Sequence, residues 1–496
     1  MPTDAPYVAT PVPADAAGRR RALLISFTFP PDTQIGALRW RKMAHDFARR
    51  GWLLDVLATA PALLPKADPS SLADLPPGVR AFGVAPAATA TGRVHRALLG
   101  AVRLARRARG RGAAADAGGG AAPAGGGGGG EEGGGQTLRR DDVLADRFSR
   151  RALQATYFGR VERAAEGAWV RAAVARAVAL GRETPYDVIL TSGPPHAAHV
   201  GGRLTAARLG APLVIDLRDP WTLRRRVKAL TASRAGLLAD EGEERAAVEA
   251  ARLVVLNTEA FRDAMRARYP AQAARMIAVR NGTDQDPVPE AAKPARFTIA
   301  YAGAIYLDRS PLVLFRALRR AVDALGLTPD DIAVEMIGNV FESDGVPTMT
   351  LAEREGVAAF VHLGPPRSRK EAREFLARAH MLVSLPWDGP LQVPAKVYEI
   401  VDFPAWALVF APPDSAPAQV LAGTGADVVD SDDAEGGAAV LVRRYREHRA
   451  GVVPTPVNQD GRFDRVHQAR ALLDALDALV PPRDGAPRDR APRAGA

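Results

Sequence analysis

The chain has 496 residues, of which 47% are hydrophobic and 25% are charged, and this balance excludes a wholly disordered chain and a small disulfide-stapled module. It contains no cysteine, which excludes disulfides, thiolate nucleophiles and cysteine-ligated zinc or iron–sulfur clusters. The formal net charge of +10 is carried almost entirely by arginine and leaves open an anionic partner, whether a phosphate, a nucleotide or a membrane surface.

The N-terminal segment, residues 1–19, is acidic and proline-bearing, and we expect it to be flexible. It lacks the apolar core of a signal peptide. The apolar run Ala22–Phe29 that follows is too short to span a bilayer and ends at two prolines. We therefore expect no transmembrane helix and a cytoplasmic location, with peripheral contact at the inner face of the membrane left open.

Alternating strands and helices are predicted from residue 20 to about 290. The first three elements are a strand over Ala22–Phe27, a helix over Ala37–Arg50 and a strand over Leu53–Ala58, the order of a parallel βαβ unit. Further predicted elements are strands over Tyr186–Thr191, Pro212–Asp216, Leu253–Asn257 and Met276–Val279, and a helix over Ala197–Leu209. The pattern predicts a doubly wound domain over 20–290.

A long insertion interrupts this domain at about 112–138. Its centre, Gly118–Gly135, is almost all glycine and alanine, and glycine at this density cannot offset its backbone entropy by burying side chains. We therefore predict a disordered loop, after which helical spacing resumes over Asp141–Glu183. The preceding segment Val94–Arg111 contains six arginines among apolar residues. It is either a basic amphipathic helix on an anionic membrane or an ordinary solvated face.

A second α/β series follows the proline-rich stretch 286–294. Its predicted strands are Phe297–Ala302, Ile332–Ile337, Ala359–Leu363, Met381–Leu385 and Ala407–Phe410. The series predicts a second doubly wound domain over 295–460, a C-terminal helix over 461–480 and a disordered tail over 481–496. A central cleft between two such domains is the expected ligand site.

Eight segments, taken in this order along the chain, are similar to the family 4-like glycosyltransferases of the GT-B fold. They are Phe29–Pro31, Gly36–Trp40, Ser192–His196, Asp216–Trp221, Arg280–Asp284, Tyr301–Gly303, Pro394–Glu399 and Ala426–Val429. The resemblance implies two Rossmann-like domains facing a cleft. It also implies transfer of a sugar from a nucleotide-diphosphate-sugar donor to a glycan or lipid-linked acceptor in cell-surface polysaccharide biosynthesis. No cofactor, bound metal or nucleic-acid partner is expected.

The resemblance also assigns donor-binding residues. The loop containing Gly36 leads into a helix N-terminus, which favours the donor phosphates. Gly303 follows the first strand of the second domain, and Arg309, six positions later, would neutralise the diphosphate with its guanidinium unless it is only a solvated residue at a helix start. Lys396 lies in the Pro-Ala-Lys-x-Tyr-Glu segment, in which Glu399 would accept hydrogen bonds from the ribose hydroxyls.

The chain departs from the family pattern at one position. Many relatives carry a further glutamate eight positions before the residue that corresponds to Glu399, and here that position is Leu391. Asp388, or backbone groups of the 389–393 loop, would replace it in sugar recognition. The departure keeps two alternatives open: a sugar-nucleotide-binding scaffold with weakened catalysis, and another GT-B enzyme such as a nucleotide-sugar epimerase.

Two catalytic candidates lie in the first domain. His196 follows a Gly-Pro-Pro turn at a strand-to-helix junction, where it would contact the acceptor or the sugar or take part in catalysis, unless it is a structural histidine near an apolar helix face. His199 is interpreted as structural, and because no companion motif supplies further ligands, we expect no metal site. Asp219 follows a strand and would act as an acid or base or orient the acceptor. The alternative for Asp219 is a pair with Arg218 that holds the loop.

Overall fold

The computed structural model describes residues 5–95, 97–99, 137–145, 149–283, 286–305, 309–385 and 389–481. Contacts divide the chain into two compact units. The first contains the described residues up to Asp216 together with Trp221–Arg252, and the second contains Leu217–Pro220 and Leu253–Pro481. By its contacts the second unit begins at Leu253, earlier than the predicted boundary near residue 290, which falls between the last strand of the first sheet and the first strand of the second.

The first large sheet has eight strands in the order β1-β4-β3-β2-β6-β7-β9-β10. The strands up to β10 are β1 Val8–Ala9, β2 Arg20–Ser26, β3 Trp52–Thr59, β4 Val79–Val84, β5 Thr137–Arg139, β6 Val188–Gly193, β7 Leu213–Leu217, β8 Arg226–Lys228, β9 Leu253–Leu256 and β10 Met276–Ala278. The strand β2 pairs in parallel with both β3 and β6. Strands β5 and β8 form a separate antiparallel pair.

The second large sheet has six strands in the order β15-β12-β11-β16-β17-β18, and all its pairings are parallel. The strands from β11 are β11 Phe297–Ala304, β12 Ile332–Asn339, β13 Glu342–Ser343, β14 Val346–Pro347, β15 Val361–Gly364, β16 Met381–Ser384, β17 Trp406–Phe410 and β18 Asp427–Val429. Numbered among themselves, the six strands follow the 3-2-1-4-5-6 order of a Rossmann domain. Such sheets bind ligands at the carboxyl ends of their strands.

Thirteen α-helices have bounds within the described residues. They are Ile35–Arg49, Arg140–Ala145, Arg150–Glu183, Ala197–Leu209, Arg234–Ala250, Glu259–Arg268, Leu312–Leu325, Thr348–Arg354, Arg369–Ala377, Ala395–Ile400, Ala416–Leu421, Ala434–Arg449 and Arg465–Leu479. Residues 90–95 and 97–99 are also helical, but most of the arginine-rich segment 94–111 lies outside the described residues. Among the described helices, none has the length and apolar character needed to cross a membrane.

Every strand predicted from the sequence is confirmed to within two residues at each end, and so is the helix Ala197–Leu209. The reason is visible in β2, where Ala22–Ile25 is fully buried, as is typical of a parallel strand covered on both faces. Apolar clusters likewise cover the second sheet. The strand β4 was not predicted.

Two segments that were predicted to be flexible or disordered contain strands. The N-terminal segment was expected to be flexible, yet Val8–Ala9 forms an edge strand because its backbone pairs antiparallel with β4. Residues 137 and 138 were assigned to the disordered insertion, yet they begin β5, since Thr137–Arg139 pairs with Arg226–Lys228. The rest of the predicted insertion, including Gly118–Gly135, and the tail after residue 481 lie outside the described residues.

Candidate functional site

A buried ion pair lies at the ends of β6 and β7 in the first unit. The guanidinium of Arg39 donates to the Asp216 carboxylate at 3.1 and 3.3 Å. The Ser192 hydroxyl donates to the same carboxylate at 2.9 Å. The side chains of Arg39 and Asp216 are only 1% and 4% exposed. Because a buried charge without a partner is costly, this network fixes the helix Ile35–Arg49 against two strand ends.

Aromatic side chains cover the loop after β6. The rings of His196 and Trp221 are stacked with centroids 5.1 Å apart and an interplanar angle of 13°. His196 is only 7% exposed. His199 is fully buried, and its Nδ1 lies 2.8 Å from Thr191 Oγ1, which supports the structural interpretation of this residue. His196 therefore forms part of a packed wall whose accessible side lines a cavity.

Asp219 belongs by its contacts to the second unit, whereas His196 belongs to the first. The Asp219 carboxylate accepts a hydrogen bond from the side-chain amide of Gln392. Gln392 precedes the helix Ala395–Ile400, which carries two of the predicted donor-binding residues. The sequence did not predict this contact, because nothing local links residues so far apart in the chain. The roles of His196 and Asp219 in catalysis stay predictions.

The ends of β11 and β12 approach each other through two glycines. Gly303 and Gly338 are register partners in the parallel pair. Gly338 has φ of +119°, and a Cβ there would lie 1.9 Å from the Gly303 carbonyl oxygen. A Cβ on Gly303 would lie 3.0 Å from the Tyr301 hydroxyl and 3.1 Å from Lys396 Cε. The close approach of the two strand ends and of Tyr301 and Lys396 therefore requires glycine at both positions. Gly338 was missed, although a glycine near the end of a predicted strand was the available signal.

Lys396 and Glu399 form an ion pair beside these glycines. Lys396 Nζ lies 2.6 Å from Glu399 Oε2, and the two side chains are 18% and 52% exposed. The spacing of three residues places them one helical turn apart in Ala395–Ile400. The structure thus brings Gly303, Lys396 and Glu399 together, with the Glu399 carboxylate about half exposed.

The other residues predicted to bind the donor are Gly36, Arg309 and Asp388. Gly36 is buried in the first turn of Ile35–Arg49 in the first unit. Arg309 is partly buried and precedes the helix Leu312–Leu325, the position expected of it. Asp388 lies outside the described residues. At the departure from the family pattern, the Leu391 carbonyl oxygen accepts a hydrogen bond of 2.6 Å from the Thr258 hydroxyl.

The described part of the chain contains no group of three or more histidine, aspartate or glutamate side chains placed to hold a metal ion. Metal-independent chemistry stays a prediction.

Together the two Rossmann-like sheets define the GT-B fold, and solved structures share it over nearly their whole length. A glycosyltransferase from Rickettsia africae ESF-5 aligns with a TM-score of 0.56 at 9% identity, covering 93% of this chain and 99% of the other. HepE of Anabaena, solved in complex with UDP-glucose, aligns with a TM-score of 0.53 at 14% identity, covering 92% and 99%.

A third structure, sucrose-phosphate synthase from Thermosynechococcus elongatus, aligns with a TM-score of 0.55 at 12% identity, covering 93% of this chain and 99% of that one. No protein-family model and no curated protein matches the sequence. At these identities the likeness establishes the fold, so the predicted GT-B fold is confirmed. Membership of the family 4-like glycosyltransferases stays a prediction.

Proposed function

We propose that the protein is a glycosyltransferase that moves a sugar from a nucleotide-diphosphate-sugar donor to a glycan or lipid-linked acceptor. The observation that carries the proposal is the Lys396–Glu399 pair beside Gly303 and Gly338, at the carboxyl edge of the second sheet of a GT-B fold. This edge is where open α/β sheets bind nucleotides. HepE, which shares the fold, was solved with UDP-glucose, and this supports uridine diphosphate sugars as the first donors to test.

In the proposed complex the two charges of the pair have separate tasks. The Glu399 carboxylate, which is half exposed, accepts hydrogen bonds from the ribose hydroxyls. The Lys396 ammonium and the Arg309 guanidinium neutralise the diphosphate, and the glycine backbone allows the diphosphate to approach. These cations supply the charge that a bound metal provides elsewhere, so transfer should proceed when a chelator is present.

In the reaction an acceptor hydroxyl oxygen forms a bond to the anomeric carbon while the bond from that carbon to the diphosphate breaks. The acceptor proton is released, and the nucleoside diphosphate leaves with the bonding electron pair. His196 and Asp219 are the proposed contacts on the acceptor side. A lipid-linked acceptor would also require contact with the membrane, for which the arginine-rich segment 94–111 is the proposed element.

The test begins with thermal denaturation in the presence of UDP, GDP and their sugar conjugates, because a ligand that binds only the folded state raises the melting temperature. The best donor is then incubated with and without a panel of acceptors. We expect donor consumption that depends on an acceptor. Donor turnover without an acceptor would indicate an epimerase. Donor binding with neither reaction would indicate a sugar-nucleotide-binding scaffold. The observation that favours this alternative is Leu391 at the position where many relatives carry a glutamate.

A further inference from the structure

A cavity of about 250 Å³ lies wholly within the first unit. The loops after β6 and β7 form one side of it through Pro195, His196 and Trp221. The helices Arg150–Glu183 and Arg234–Ala250 form the other side. Pockets for drug-sized ligands usually measure about 300–1,000 Å³, so this one suits a molecule with a single ring.

The helical side of the cavity is rich in hydrogen-bond acceptors. Glu162 and Glu166 line it from one helix, and Asp240 and Glu243 line it from the other. The cation among them, Arg163, is already engaged, since its guanidinium donates to Asp240 at 2.6 Å.

Glu166 is partly buried on this side of the cavity. Its burial, and then the nearby charge of Glu162, raise its pKa from 4.5 to about 7. A ligand hydroxyl would therefore find an acceptor here that is already partly removed from water.

The opposite side of the cavity is apolar and carries donors at its rim. The stacked rings of His196 and Trp221 lie beside Val227. Arg224 and Lys228 are exposed at the rim, and Arg224 Nε is fixed by a 3.0 Å hydrogen bond to the Trp221 carbonyl oxygen. The cavity thus combines an apolar side, carboxylate acceptors and cationic donors.

This combination matches an uncharged sugar ring, which has a C–H face and an edge of hydroxyl groups. Arg163 pairs with Asp240 and Glu243, so an anionic ligand would instead approach Glu162 and Glu166 beside these pairs, and like charges repel in a partly desolvated site. We propose that the cavity binds a neutral sugar ring and that the reacting end of the acceptor is a neutral glycan, not a lipid phosphate or a uronate. Calling this ring the acceptor rests on the proposed function, whereas sugar binding in the cavity does not.

The test measures binding of glucose, galactose, mannose and N-acetylglucosamine by ligand-observed NMR, with glucuronate as the anionic comparison. Each is titrated with and without UDP into the wild type, Glu166→Gln and the control Glu249→Gln. Glu249 is exposed on the helix Arg234–Ala250 and does not line the cavity. We expect at least one neutral sugar to bind, about tenfold more weakly to Glu166→Gln and unchanged to Glu249→Gln. Glucuronate should bind at least about tenfold more weakly than glucose.

A second variant, Thr231→Trp, places a large ring on the cavity lining without altering a carboxylate, and it should abolish sugar binding. Melting temperatures and UDP affinity are recorded for every variant, because nucleotide binding is assigned to the other unit. If UDP binds but no neutral sugar does, or if glucuronate binds as well as glucose, the proposal is overturned and the proposed function stands. If sugars bind in the cavity but no nucleotide binds, the proposed function fails and the cavity remains a sugar site.

Discussion

Each of the two large sheets has an ion pair beside the ends of its strands, and the two pairs differ in their exposure to solvent. In the first unit the side chains of Arg39 and Asp216 are 1% and 4% exposed, whereas in the second those of Lys396 and Glu399 are 18% and 52% exposed. Breaking a buried pair leaves an isolated charge in a low dielectric, while an exposed pair contributes little to stability and stays accessible to a ligand. The buried pair thus stabilises the architecture of the first unit, whereas the exposed pair of the second unit stays open to the nucleotide that we propose it binds.

The largest effect on stability is expected from Asp216→Ala. The substitution leaves the buried guanidinium of Arg39 without its carboxylate, and such a loss typically costs about 3–5 kcal/mol of the free energy of unfolding. Chemical denaturation of the purified variant measures it. The double variant Arg39→Met/Asp216→Leu removes both charges and should recover much of the loss. If the Asp216→Ala protein is as stable as the wild type, the buried pair does not contribute more to stability than an exposed pair, and the comparison is contradicted.

A smaller loss of stability is expected from Gly338→Ala in the second unit. The substitution combines a φ of +119° with a Cβ that would meet the Gly303 carbonyl at 1.9 Å, so it should cost about 3 kcal/mol. The matched control is Gly326→Ala, where φ is +63° and no atom lies within 4 Å of the new Cβ. That control should cost about 1 kcal/mol from the left-handed backbone alone. Equal melting temperatures for the two variants would show that the close approach of β11 and β12 is unimportant.

One titratable group in each unit should change the free energy of unfolding with pH, and the two changes should have opposite signs. In the second unit, burial and the neighbouring His448 lower the pKa of His380 from 6.5 to about 4, and His380 Nδ1 accepts a hydrogen bond from the Thr298 backbone. Because protonation favours the unfolded state, this contribution is present above pH 6.5 and lost as pH falls towards 4.

In the first unit the pKa of Glu166 is raised to about 7, so its contribution is present below pH 4.5 and lost as pH rises through 7. The free energy of unfolding is measured against pH for the wild type, His380→Gln and Glu166→Gln. In His380→Gln the free energy of unfolding should fall less as pH drops below 6.5. In Glu166→Gln it should fall less as pH rises from 4.5 to 7. Profiles that coincide with the wild type would refute this assignment of the two groups.

The fold could be predicted from the sequence because its signals are local. Parallel strands covered on both faces are continuous apolar runs, and Phe297–Ala302 and Met381–Leu385 were recognised in this way. The strand β4 was missed because Arg80 and Gly83 interrupt its apolar pattern. Lys396 and Glu399 were found through a motif, and their spacing of one helical turn explains why they meet.

The rest of the site depends on contacts between residues that are distant in the chain. Arg39 and Asp216 are separated by 177 residues, and no periodicity links them. Gln392 and Asp219 are similarly remote, at 173 residues. The cavity of the first unit was missed for the same reason, since its carboxylates come from two helices that only the fold brings together.

The central claim is that the exposed pair of the second unit binds the nucleotide, and Glu399→Ala tests it most directly. Isothermal titration of the best nucleotide is performed on the wild type, on Glu399→Ala and on Glu374→Ala, a control whose side chain is 48% exposed and lies 4.0 Å from Lys370. Losing a charged hydrogen bond costs about 1.5–3 kcal/mol, so Glu399→Ala should bind at least about tenfold more weakly, with an unchanged melting temperature in the absence of nucleotide. Glu374→Ala should bind like the wild type. Equal nucleotide affinity in a folded Glu399→Ala protein, or a wild type that binds no nucleotide, would contradict the account.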